Sequence, residues 1–400
     1  MYQESGTYAE PLSATAAMNL VMFGSLAWTD TWYSRHHLVV GLARRHRVVL
    51  VEPPPDFGAV LRDPLRGIQG ARLEKDALGF ERYRPPGWLP QVYSVAFAGA
   101  ALNRLRARRV RRALAQSGAK RFVAYAWHPD FADAVAPFDD VPLVYHCYDK
   151  YDRYTHAPIA ETRAREQRLA RKATLCVAAS TKLGEYLSEL GAQRVLVLHH
   201  GVDPKTFRPG LPEPAGLAHI PHPRIGVVAR LNEVLDMDSL VRIAEQRPGW
   251  SLVFIGGAHF TDSSKRVRFE ALLKLPNVHH VGPQPQREVP NWLCGLDVGL
   301  ACYDQATWGP YNQPIKIYEY LGCGLPVVSS DITAAREFGP LVERCPGTED
   351  WVPAIERALA STSPATVEQR AAFARMNSWE RRVTELETAL KTVFEEHTAP

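Results

Sequence analysis

Lys316 and Glu319 stand three residues apart in the run Gly309 to Asp331, GPYNQPIKIYEYLGCGLPVVSSD, and that spacing puts a cation and a carboxylate on one helical face. Such a pair at a helix start suits a ligand with an anionic group and a diol, because the first backbone N–H groups already favour phosphate. A nucleotide sugar carries both. Pro310, Asn312 and Pro314 make the approach irregular, Ile315 to Leu321 supplies the helix, Gly322 and Gly324 end it, and Leu325 to Ser329 reads as a short buried strand. Spacing alone also fits a helix with a solvated Lys and Glu.

Other residues that could do chemistry sit where apolar runs end. His200-Gly201-Val202-Asp203 follows one run; glycine lets backbone approach a ligand, and Asp203 can simply fix the turn. Arg230 follows Ile225 to Ala229, as a ligand for anions or as a stem on the core. Phe254-Ile-Gly256-Gly257 ends a strand where backbone meets phosphate oxygens or merely turns. Tyr303 could stack on a base or be a buried phenol. In the first half, Asp149 and its neighbour Asp152 follow Leu143 to Cys147, as a proton acceptor or as caps of a turn. His128 follows another strand, lining a site or satisfied within its loop. Trp28, Asp30, Arg35 and His36 occupy the loop after the first strand and the next helix start.

The elements that must hold these residues follow from apolar runs separated by helical spacing. Asn19 to Phe23 and Arg47 to Glu52 are strands around a helix from Tyr33 to Arg45, a βαβ unit. Further strands are expected at Arg121 to Tyr125, Leu143 to Tyr145, Thr174 to Ala178 and Val195 to Leu198, with helices at Asn103 to Gln116 and Glu161 to Arg171. From Pro209 to Pro223, PGLPEPAGLAHIPHP has no periodicity and reads as a linker. A second set follows: strands Ile225 to Ala229, Ser251 to Ile255, Val278 to Val281, Val298 to Cys302 and Pro326 to Ser329, with a helix at Asp238 to Arg247. Ser378 to Glu396 closes the chain as an amphipathic helix with Val383, Leu386, Leu390 and Val393 on one face. The expectation is α/β, with two Rossmann-like domains. Boundaries fall at a flexible tail 1–18, a first domain 19–208, a linker 209–224, a second domain 225–376 and a final helix 377–400.

Composition narrows the function classes. The 400 residues carry a net charge of +4, distributed as +8 over residues 1–200 and −4 over 201–400. The six cysteines form no CxxC pair, which argues against a zinc site or a disulfide framework. No apolar run reaches a membrane span, and the first 18 residues lack the pattern of an export signal. Basicity concentrates in NRLRARRVRRAL, whose six arginines between Arg104 and Arg112 suit an anionic membrane surface or a solvated face; no nucleic-acid motif accompanies them. A nicotinamide enzyme would want a GxGxxG after the first strand, where Gly24 stands alone.

Pro314-Ile-Lys316-Ile-Tyr-Glu319-Tyr-Leu-Gly-Cys-Gly324-Leu-Pro326-Val-Val resembles the donor-site motif of GT-B glycosyltransferases, which implies Glu319 on the ribose hydroxyls and Lys316 toward the diphosphate. The Gly-Val-Asp loop resembles the one between the two GT-B domains, which implies a donor-side role for Gly201. Ile225 to Leu231 is similar to the opening of the second domain in retaining family 4 glycosyltransferases, with Arg230 in the diphosphate-binding position. Leu235 stands where that family has Lys, Asp236 where it has Gly, and Tyr311 where it has a first Glu. Gly-Leu-Ala-Cys-Tyr303 and Leu143 to Asp149 are similar to inverting GT-B enzymes of the xanthan glucuronosyltransferase kind, which implies Asp149 as general base. Trp32 to His37 and Val49 to Pro54 resemble enzymes of the teichuronic acid biosynthesis kind.

The resemblance implies two domains facing a cleft, with the last helix crossing back to the first. It also implies a glycosyltransferase that moves sugar from a nucleotide-sugar donor to a glycan or lipid-linked acceptor in cell-surface or exopolysaccharide synthesis. The donor would be held by Gly201, Arg230, Gly256, Tyr303, Lys316 and Glu319, with Trp28, Asp30 and His128 on the acceptor side. No metal or cofactor is expected, because Lys316, Arg230 and helix amides can neutralise the diphosphate. A cytoplasmic enzyme, peripheral on the inner membrane face, is the expectation. A GT-B sugar-nucleotide epimerase and a non-catalytic nucleotide-sugar-binding subunit stand as alternatives.

Overall fold

The computed structural model describes residues 17–24, 28–29, 32–53, 57–63, 65, 68, 70–89, 96–116, 121–153, 159–305, 309–311 and 313–398. Residues 1–16 of the expected tail lie outside them. The chain divides into two compact units, Met1–His199 with Arg382–Pro400, and His200–Arg381.

The first unit holds an eight-stranded sheet in the order β3-β4-β2-β1-β5-β6-β7-β8. Its central strands are β1 (Asn19–Phe23), β2 (Arg47–Val51), β5 (Val123–Ala126), β6 (Leu143–Cys147), β7 (Leu175–Ala178) and β8 (Val195–Val197), all pairing in parallel. Runs such as VAYA and LVYHC are buried at every residue, as a parallel sheet covered on both faces requires. The unexpected members are β3 (Arg72–Lys75) and β4 (Glu81–Arg84), an antiparallel hairpin at the edge. Their sequences, RLEK and ERYR, carry no apolar run. Charged side chains guard the edge strand β3, exposed at every residue, while ion pairs tie β4 to β2, with Arg47 Nε 2.8 Å from Glu81 and Arg84 Nε 3.1 Å from Glu52.

The second unit holds six strands in the order β11-β10-β9-β12-β13-β14. These are β9 (Arg224–Val228), β10 (Ser251–Ile255), β11 (Val278–Gly282), β12 (Val298–Ala301), β13 (Val327–Ser330) and β14 (Val342–Cys345), every pairing parallel. Two apolar clusters form its core. One contains Ile317, Tyr320 and Leu321 of the helix Ile315–Gly322; the other contains Leu240 and Ile243 of the helix Met237–Gln246.

The proline-rich stretch is not a free linker. Leu217 and Ile220 are buried with Trp292 in the core of the second unit, and the division between units falls at His199/His200. Proline prevents regular structure there without preventing packing. The last helix, Trp379–Thr398, places Val383, Leu386, Leu390 and Val393 in the core of the first unit. Glu387 on it accepts from Arg45 at 2.6 Å and faces His46 Nε2 at 3.1 Å.

Strand order also marks where ligands belong. In the first sheet the chain moves outward from β1 through β2, then returns to β5 on the other side; in the second it does the same between β9 and β12. At such reversals the loops at the carboxyl ends diverge and leave a crevice.

Candidate functional site

The second unit presents its sequence-predicted residues at the carboxyl edge of its sheet. Loops after β9 and β10 are joined by Leu231 N to Gly257 O at 3.0 Å and His259 N to Leu231 O at 2.7 Å. Gly256 sits between them at φ +142°, where a Cβ would lie 1.8 Å from the Ala229 carbonyl oxygen. Only glycine lets these two loops close on each other. Arg230, in the first loop, is exposed and has no hydrogen bond or ion pair among the described residues. An exposed cation at a switch point is suited to an anionic ligand.

Tyr303 follows β12. Its backbone N–H donates to Ser330 Oγ at 2.8 Å and that hydroxyl donates back to the Tyr303 carbonyl at 2.7 Å, so β13 fixes the turn. The ring is buried, and burial, followed by the neighbouring Cys302 and Glu319, pushes the phenol well above its ordinary range. Tyr303 also bridges Leu235, which is 1% exposed. Asp236 caps the helix Met237–Gln246 through Ser239 N at 3.1 Å. The departures at 235 and 236 thus have structural uses: a core side chain and a helix cap.

In the helix Ile315–Gly322, Lys316 Nζ donates to Glu319 Oε2 at 2.6 Å. Glu319 is 6% exposed, which removes it from the solvated reading, while the Lys316 side chain keeps 27% exposure. Pro314, the residue before the first turn, offers no side-chain cap, so helix N–H groups stay available there. Sequence reading missed Gln313. Its buried amide accepts from His200 N at 3.0 Å and donates to Glu337 at 2.8 Å, tying the approach of this helix to the segment after His199. Gly201 packs against backbone, since a Cβ there would come within 2.9 Å of Trp379 N. Its small size is accounted for by that packing.

In the first unit, Trp28, His128 and Asp149 follow β1, β5 and β6, three adjacent parallel strands, and so share one edge. Asp30 lies outside the described residues. His128 accepts from Asp130 N through Nδ1 at 3.2 Å, capping a short 3₁₀ turn, with its ring 4.6 Å from that of Tyr151. Trp28 lies against His36 and Phe80, ring centres 4.3 and 4.5 Å away. His36 is fully buried; its Nδ1 accepts from Tyr33 N at 3.0 Å, so the neutral ring carries its proton on Nε2. Burial, with the Arg35 charge beside it, lowers its pKa to about 4.

Asp149 is half-buried and its Oδ1 accepts from Lys150 N at 2.7 Å. The rival Asp152 is held by Lys150 Nζ at 2.5 Å. That ion pair commits the Asp152 carboxylate to structure. Among the described residues no group of three or more His, Cys, Asp or Glu is placed to hold a metal ion.

Residues 222–361 match the family described as glycosyl transferases group 1. The matched residues lie within the second unit. Over 163 residues the chain is 31% identical to a Bacillus subtilis (strain 168) protein named "Putative teichuronic acid biosynthesis glycosyltransferase TuaH". That match covers 39% of this chain and 40% of the relative, so the chain spans about two fifths of the curated relative's length.

Solved structures match almost throughout. Sucrose-phosphate synthase (tll1590) from Thermosynechococcus elongatus superposes with a TM-score of 0.69 at 15% identity, over 95% of this chain and 100% of its own. Anabaena Alr3699/HepE in complex with UDP gives 0.66 at 15% identity, over 94% and 100%. An E. coli structure titled "Trehalose-6-phosphate" and bound with UDP-2-fluoro glucose gives 0.71 at 13% identity, over 93% and 99%. The fold is therefore GT-B, as the motif at 314–328 implied.

Proposed function

We propose that this chain is a glycosyltransferase that moves a sugar from a nucleotide diphosphate donor to a glycan or lipid-linked acceptor in polysaccharide synthesis. The observation that carries this reading is the buried Glu319 bonded to Lys316 on the first turns of a helix inside the segment that matches the group 1 glycosyl transferases. Glu319 would accept from the ribose hydroxyls. Lys316, Arg230 and the open N–H groups of that helix would meet the diphosphate, and the backbone at Gly256 would lie against it. Uridine is the first base to test, since HepE was solved with UDP and with UDP-glucose.

In the inverting form of the reaction, Asp149 takes the proton of the acceptor hydroxyl as its oxygen bonds to the anomeric carbon. The bond from that carbon to the diphosphate breaks, and the negative charge leaving with the nucleotide is met by Lys316 and Arg230. Asp149 is preferred to Asp152 because it closes the run Leu143 to Asp149 that resembles the inverting enzymes. Peripheral attachment to an anionic membrane belongs to the same proposal. In the helix Ala96–Gln116, Arg108 and Arg112 are exposed and unpaired among the described residues, beside a 39% exposed Leu105. Arg109 stacks 4.5 Å above Trp88, itself half exposed. No helix among the described residues is long and apolar enough to cross a membrane.

Thermal-shift measurements with UDP-, GDP- and dTDP-sugars test the donor site. One nucleotide at about a hundred times its Kd should stabilise the chain by roughly 2.7 kcal/mol, and Lys316→Ala and Glu319→Ala should each remove most of that. Full stabilisation retained in both variants would show that the donor binds elsewhere.

A further inference from the structure

Glu166 is a carboxylate that the proposed reaction leaves unused. It lies on the helix Ile159–Lys172 with no exposed surface. Its Oε1 accepts from the Tyr145 hydroxyl at 2.6 Å and from Cys147 Sγ at 3.5 Å, and its Oε2 accepts from the Tyr186 hydroxyl at 2.8 Å. Burial raises the carboxyl's pKa, and these donors with the Lys150 charge pull it part of the way back. For stability alone a carboxylate is a poor choice there, because an apolar side chain of similar volume is often neutral or better.

What depends on the network is the segment that follows β6. Cys147 Sγ lies 3.5 Å from Glu166 on one side and 3.2 Å from the Asp149 carbonyl on the other. Three residues on, Lys150 Nζ sits 3.8 Å from the centre of the Tyr186 ring, whose hydroxyl binds Glu166. Lys150 also donates its backbone N–H to Asp149 Oδ1 and its ammonium to Asp152. Asp149 is therefore fastened before and after by groups that converge on one buried carboxylate. We infer that Glu166 is a positioning residue that sets the place of the Asp149 carboxylate through Cys147 on one side and Tyr186 with Lys150 on the other. This rests on Asp149 being the general base.

The test uses the full chain and two readouts. Hydrogen exchange of the amides in 148–153 should quicken by about tenfold or more in Glu166→Ala, with the rest of the first unit unchanged, because local opening is set by local contacts. Release of UDP from UDP-glucose with a membrane lipid extract as acceptor source should show kcat lowered by about a hundredfold, as a misplaced catalytic group costs. KM for UDP-glucose and the Kd of UDP should stay within about twofold. Glu166→Gln, which keeps the shape and one acceptor, should recover much of the rate. Tyr186→Phe is the milder probe if Glu166→Ala does not fold, and should change the same amides.

Unchanged exchange at 148–153 in a folded variant overturns the inference, and the exchange readout needs no productive acceptor. The base assignment fails separately. If Asp149→Asn turns over normally, Asp149 is not the base and the inference falls with it. If Asp149→Asn is inactive while Glu166→Ala keeps wild-type exchange and kcat, only the positioning role falls.

Discussion

The two sheets end in different kinds of surface. At the edge of the second, backbone dominates: loops closed over Gly256, first-turn N–H groups of the helix Ile315–Gly322 with no side-chain cap, and an Arg230 without a hydrogen bond or ion pair among the described residues. At the edge of the first, buried side chains dominate: His36 with no exposed surface, Tyr125 hydroxyl 2.6 Å from His146 Nδ1, and Glu166 among two phenols and a thiol. A diphosphate has the same shape whatever sugar it carries, and backbone donors suffice for it. A hydroxyl chosen among many on an acceptor needs positioned side chains, since unpaired buried polar groups penalise the wrong ligand.

The largest effect that separates these two designs should come from Gly256. A Cβ there lies 1.8 Å from a backbone oxygen, whereas one on Gly257 meets only the His259 side chain at 2.7 Å. Gly256→Ala should lose about 3 kcal/mol or more of stability and all measurable UDP binding, because neither the φ nor the carbonyl can yield cheaply. Gly257→Ala should cost under about 1 kcal/mol, because a surface imidazole can swing away. Urea unfolding and calorimetric titration with UDP read both. Equal behaviour of the two variants would mean that close backbone approach is not what shapes this edge.

The same contrast explains what was legible in the sequence. Lys316, Glu319 and Gly256 lie in local phrases, where spacing along one helix or at one strand end carries the geometry. Glu166 does not. Its partners Tyr145 and Tyr186 are 21 and 20 residues away, and its own surroundings, ETRAREQRLARK, read as a solvated charged helix. Gln313 was hidden in the same way, binding His200 across 113 residues. Strands β1 and β9 were visible because each carries an unbroken apolar run, Leu20 to Phe23 and Ile225 to Val228. The β3–β4 hairpin was invisible because an edge strand built from Arg, Glu and Lys has neither an apolar run nor alternation. Five prolines suggested a linker, since sequence shows the loss of periodicity but not the burial of Leu217.

A smaller effect should appear on acidification, and in the first unit. His36 titrates at about 4 when folded against its ordinary 6.5, so the folded state favours the neutral ring. Its contribution is present in full above pH 6.5 and is lost as pH falls toward 4, where the unfolded chain binds the extra proton. Between pH 7.5 and 4.5 this amounts to roughly 2 to 3 kcal/mol. Comparing urea midpoints of wild type and His36→Gln at the two pH values isolates it. An identical acid dependence in both proteins would show that His36 is not what makes the first unit acid-sensitive.

The smallest expected effect concerns the arginines of the helix Ala96–Gln116, which do not act as one charge patch. Arg106 is buried and donates twice to the Leu89 carbonyl, at 3.0 and 2.8 Å, and Arg111 is paired with Asp140. Arg108 and Arg112 stand one turn apart on the exposed side. Near an anionic surface each free arginine contributes about 1 kcal/mol, so Arg108→Ala with Arg112→Ala should weaken binding to phosphatidylglycerol vesicles by about thirtyfold. UDP affinity should not change, because the proposed donor residues belong to the other unit. Arg106→Ala should do the opposite, lowering stability with little direct effect on vesicle binding by whatever protein stays folded. Co-sedimentation at low and at physiological salt reads all three. If the double variant pellets like wild type, the exposed stripe is an ordinary solvated face and attachment must be sought at Trp88 and the apolar residues around it.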